Sequence, residues 1–90
     1  MTYTLVAGAG GGNRGFGGFQ IWDTSHPYST ITLTSKTGTW GGCDFDIGGV
    51  NIGTPVLNTP YDIKGKTVII GLYQGASGSY SNCTGVFVLE

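Results

Sequence analysis

The chain has 90 residues, room for a single domain spanning 1–90, and 18 of them are glycine, one in five against a usual share of roughly 7%. Four cations (Arg14, Lys36, Lys64, Lys66) stand against five anions (Asp23, Asp44, Asp46, Asp62, Glu90) for a net charge of −1, which excludes the basic patch that nucleic-acid or membrane-surface binding needs. Two Trp, five Tyr and four Phe among so few charges exclude disorder.

Residues 2–7 read as a first strand. They lack the basic region and long apolar stretch of a signal peptide, so location stays open between the cell interior and export after loss of a leader. No segment reaches the ~18 apolar residues of a membrane span. The tract Gly8-Ala9-Gly10-Gly11-Gly12-Asn13-Arg14-Gly15 invites a phosphate-loop reading, which fails because no Lys-Ser/Thr pair and no helix follow it. It reads instead as a long loop, or as a backbone shelf that lets a ligand come close. Residues 16–22 read as a second strand, with Phe19, Ile21 and Trp22 as its apolar members.

His26 sits before Pro27 in a polar loop with no orienting acid beside it, the setting of a solvated turn residue. In residues 30–35, Ile31 and Leu33 alternate with Thr30, Thr32 and Thr34, the period of a half-buried strand. Residues 40–50 read as one irregular, glycine-broken strand around 43–47. There Asp44 and Asp46 share a face, as either a proton-sharing pair or two solvated carboxylates. Residues 67–73 form the one unbroken β-branched run and predict a central strand buried on both faces. Val68, Ile69, Ile70 and Leu72 are its core, with Val86 and Val88 of a last strand, 84–89, pairing beside it. Twelve Thr, one Glu and one Met leave no helix signal. Cys43 and Cys83, with His26 as the one histidine, have no zinc-ligand spacing and read as two free, buried thiols. No nucleophile–base pair stands out. The expected fold is all-β: one small β-prism-like or Greek-key sandwich domain.

The order of pieces from residue 30 to 88 resembles the C-terminal two thirds of jacalin-related lectins. Residues 30–35 and Trp40-Gly41 are similar to that family's strand and aromatic-Gly turn, and Gly53-Thr54-Pro55 to its Gly-Thr-Pro segment. The apolar strand, the turn through Gly75 and Gly78, Tyr80, and Gly85-Val86-Phe87-Val88 resemble its closing strands. The resemblance implies a non-enzymatic protein binding neutral glycans through a hairpin turn, with Gly78, Ser79, Tyr80 and Asn82 as ligand-binding residues. It implies no cofactor and no metal.

Two departures bear on this expectation. The chain is shorter than the family's domain, and the family's sugar-binding Asp falls on Asn82, which trades two charge-assisted acceptors for one oxygen and an NH2. Asn82-Cys83-Thr84 is also a glycosylation sequon. The rival reading is a self-assembling or toxin/pore-type β module. In either case open sheet edges predict a homo-oligomer.

Overall fold

A computed structural model describes residues 1–7, 19–38, 40–74 and 83–90. Eight strands lie among the described residues: β1 (Thr2–Ala7), β2 (Gln20–Trp22), β3 (Thr30–Thr37), β4 (Trp40–Ile47), β5 (Val50–Asn51), β6 (Tyr61–Asp62), β7 (Val68–Gln74) and β8 (Cys83–Leu89). They form two antiparallel four-stranded sheets, β1-β8-β3-β6 and β2-β7-β4-β5, so the fold is all-β in its sandwich form. The chain crosses from sheet to sheet at every connection except β4–β5. That one is a hairpin whose turn residues Gly48 (φ 58°) and Gly49 (φ 83°) both take the left-handed backbone that a two-residue turn of the favoured twist requires.

Alternation builds the core. In β8, Cys83, Gly85, Phe87 and Leu89 are buried while Thr84, Val86 and Val88 are half-exposed. They are met from sheet one by Leu5, Ala7, Ile31 and Leu33, and from sheet two by Phe45, Ile47, Val68, Ile70 and Leu72. Phe45 joins the sheets, 5.5 Å edge-on to Tyr61 and 6.3 Å from Phe87. One flank is closed by the β5–β6 connection, which buries Pro55. Its Asn58, at φ 59°, a conformation that Asn tolerates better than most residues, donates its N–H to the Leu33 carbonyl at 2.7 Å.

Three expectations change. The run 68–72 is central in its sheet, as its composition requires, but on the face shared with buried Gly71 the side chain of Ile69 is half-exposed, so the second face is only partly covered. Val86 and Val88 do not pair beside it: β8 lies in the other sheet, with Val88 between Thr2 and Thr32. Residues 40–50 are a strand whose register shifts once, between Trp40 and Gly42, plus a hairpin return, because Gly48 and Gly49 make a turn and do not prolong the irregularity.

Candidate functional site

The register brings three strand-to-strand connections to one end of the sandwich. Ala7 pairs with Cys83, Thr84 with Thr37, and Trp40 with Gln74. The segments after Ala7, Thr37 and Gln74 therefore leave, and those before Trp40 and Cys83 return, at this same pole. The candidate ligand residues Gly78, Ser79, Tyr80 and Asn82, and the tract 8–18, lie outside the described residues. What is placed is the platform from which they depart.

Trp40 is the centre of that platform. Its Nε1–H donates to the Thr37 carbonyl at 3.2 Å, and Lys36 sets its ammonium 4.9 Å from the ring centroid, within the range of a cation–π contact. Gly85 of β8 makes room for the indole: a Cβ there would come to 2.8 Å of the ring. The sequence held the signal for this pair, a Lys four residues before a Trp across a short turn, but nothing in it said which residue the ring would lie on.

Cys43 is half-buried and Cys83 buried, with no disulfide. Burial, reinforced by the Asp44 carboxylate and opposed by Lys36, pushes the Cys43 thiol up to about 12, so it is protonated at neutral pH and is no nucleophile.

Asp44 and Asp46 share the outer face of β4, as the strand reading requires, opposite Gly71 and Ile69. Asp46 Oδ1 is covered and meets no donor. Its pKa is raised, first by desolvation and then by the charge and hydrogen bonding of Asp44, so this pair is not merely two solvated carboxylates. Among the described residues no group of three metal-ligating side chains is assembled.

His26 is a strut rather than a solvated turn residue. Tyr28 N–H points at its Nδ1 (3.1 Å), and its Nε2 lies 2.8 Å from the Lys66 carbonyl. A backbone N–H can only donate, so Nδ1 is the acceptor and Nε2 carries the proton. His26 thereby ties the β2–β3 loop to the β6–β7 loop, at the pole opposite Trp40.

No family model matches this chain, and no curated protein or solved structure does so either.

Proposed function

We propose that the protein is a non-enzymatic lectin for neutral glycans, with its site at the Trp40 pole. The observation that carries this reading is the pairing of Ala7 with Cys83. It means that the glycine tract departs beside the point where the segment 75–82 returns. The two stretches singled out by the sequence, one as a close-approach shelf and one by its resemblance to a sugar-binding turn, are thus anchored on adjacent strands. Loops gathered at one end of a sandwich form a recognition surface on a rigid scaffold.

In this reading the Ser79 and Tyr80 N–H groups donate to sugar hydroxyls, Gly78 permits close approach, Tyr80 lends a ring face, and Asn82 accepts. A glycan-array screen identifies the ligand, and titration of Asn82 variants tests the site. Asn82→Ala removes hydrogen bonds worth about 1 to 2 kcal/mol, roughly a 5- to 30-fold loss of affinity, with the thermal midpoint nearly unchanged. Asn82→Asp restores a charged acceptor and tightens binding. Unchanged affinity in both variants rejects the site; an array with no ligand rejects the reading.

The self-assembling alternative is favoured by one different observation: Val50, Ile52, Val56 and Leu57 are all exposed within a stretch that carries no charge. Leakage from lipid vesicles on addition of the protein would favour it over the lectin.

A further inference from the structure

Two hydrogen bonds fix the parity of the β1–β8 ladder. The Met1 nitrogen donates to the Leu89 carbonyl at 2.7 Å, and Leu89 N–H donates back to the Met1 carbonyl at 2.8 Å. In an antiparallel ladder such mutually bonded pairs alternate with unbonded ones. By the register, Tyr3–Phe87, Leu5–Gly85 and Ala7–Cys83 are therefore the bonded pairs. The other side of β8 agrees, since Thr30 and Glu90 exchange N–H···O bonds of 3.1 and 3.0 Å. The backbone N–H and C=O groups of Thr2, Thr4 and Val6 consequently point away from β8, along the outer edge of the sheet.

Among the described residues no strand pairs with that edge. Its six residues include no charge and no proline, and their register runs without a bulge. These are the devices by which sheet edges avoid pairing with other chains. Val6 is 51% exposed.

We propose that this edge pairs with the same edge of a second copy of the chain, antiparallel about a two-fold axis at Thr4, joining two four-stranded sheets into one of eight. The self-pairing follows from parity. The two-fold operation sets Thr2 opposite Val6 of the other copy and Thr4 opposite itself. Every outward-pointing backbone pair meets an outward-pointing pair, so three bonded pairs form with six N–H···O bonds. A shift of one residue would set bonding positions against non-bonding ones and form none of these pairs.

Side chains agree with this arrangement. Thr2, Thr4 and Val6 alternate with inward Leu5 and Ala7, so they extend the outer face already carrying Thr32 and Val88, with no like charges opposed. On the same flank the Tyr3 ring meets Trp22 edge-on at 5.4 Å, which places β2 of the second sheet beside β1. The interface is isologous, as closed dimers require, and sits at the small end of interface sizes. It does not depend on glycan binding, although antiparallel pairing would point the two Trp40 poles in opposite directions.

The test is register-specific. Position 4 lies opposite itself at a Cα separation of about 5.5 Å, inside the range a disulfide spans. Thr4→Cys should give a covalent dimer under mild oxidation. Thr2→Cys alone should not, whereas Thr2→Cys mixed with Val6→Cys should. Sedimentation should show a concentration-dependent dimer that Thr4→Lys abolishes while leaving the monomer's thermal midpoint unchanged. A monomer at every concentration up to about 1 mM, the weak limit of specific association, would overturn the proposal. So would a dimer that survives Thr4→Lys, or cross-linking of Thr2→Cys alone as fast as Thr4→Cys.

Discussion

The two poles of the sandwich are held in different ways. At the pole opposite Trp40, Ser29 and Thr30 N–H both donate to the Glu90 carbonyl, Tyr28 Oη–H reaches Met1 Sδ, and Gly48 N–H donates to the Thr67 carbonyl at 2.8 Å. The Tyr28 ring stacks on His26 at 5.9 Å, and Tyr3 packs on Trp22. Loops there are bonded to one another and to Met1 and Glu90. At the Trp40 pole the ring of Trp40 lies on Gly85, donates to the Thr37 carbonyl and carries the Lys36 ammonium above it. The difference teaches where the described cross-links reside: a domain of this size has few kcal/mol to spare, and the pole opposite Trp40 supplies bonds that run between loops and strand ends.

The largest expected effect comes from swapping tryptophans between the roles. Trp22 is 8% exposed, and Trp22→Ala should cost about 3–5 kcal/mol. At ~4–8 °C per kcal/mol for a domain of this length, that unfolds much of the population near body temperature. Trp40→Ala, at the half-buried end, should cost markedly less in the same denaturant titration. Equal costs would erase the distinction between the poles.

Gly85→Ala sharpens it. The new methyl collides with the Trp40 ring, and overpacking of that kind costs about 1–3 kcal/mol. Trp40→Ala combined with Gly85→Ala should recover most of the loss, because the clash needs both partners. Purely additive losses would show that Gly85 is needed for its backbone alone.

A smaller effect is expected from His26→Ala, which removes two neutral hydrogen bonds, each worth about 0.5–1.5 kcal/mol net. Hydrogen exchange should quicken at the Tyr28 amide while amides of β8 near Cys83 keep their rates. Uniform quickening would mean that the strut holds the whole domain and not one pole.

The smallest effects are the pH responses of two aspartates, and they have opposite signs. Hydrogen bonds from the Ser25 hydroxyl and N–H hold the Asp23 carboxyl below its ordinary 3.8. Its contribution to stability is present above that value and lost as pH falls through the depressed one. Asp46, raised by burial and by Asp44, favours the fold when protonated and loses that contribution as pH rises through its elevated value. Asp46→Asn should therefore raise the thermal midpoint at neutral pH, with the gain shrinking as pH falls through the raised value and gone by the ordinary 3.8. Asp23→Asn should lower the midpoint at neutral pH, and that loss should shrink only on acidification below 3.8, toward the lowered value.

What was legible in the sequence was local. β1 matches its expected bounds, and the alternation in residues 30–35 gave the buried face of a strand that meets the core, because period two is a property of each strand alone; in 84–89 the expected Val86 and Val88 are half-exposed and the buried face is that of Phe87 and Leu89. Pairing was not legible. The run 67–73 and the strand at 84–89 are neighbours in sequence, which suggests a hairpin, yet the connection between them changes sheets. β6, two residues long, has no period to detect. The convergence of strand ends at Trp40 depends on the registers of β1, β3 and β4 with their partners, and no window of sequence contains it. His26 reads as a solvated turn residue in the sequence because one of its two partners, Lys66, lies forty residues away.

The strand order carries a consequence for how the protein is made. β8 is the inner partner of both β1 and β3, so the sheet β1-β8-β3-β6 has no continuous ladder until residue 89 has been synthesised. At a translation rate of ~5–20 residues per second, β1 waits several seconds with both edges unpaired, and residues 1–62 hold one half of a groove with no strand to fill it. Folding must then close pairings between the two extremes of the chain, the kind of non-local contact that slows a domain most. A nascent chain halted before residue 83 should remain protease-sensitive throughout, and release of the last seven-residue strand should protect the whole domain in one step.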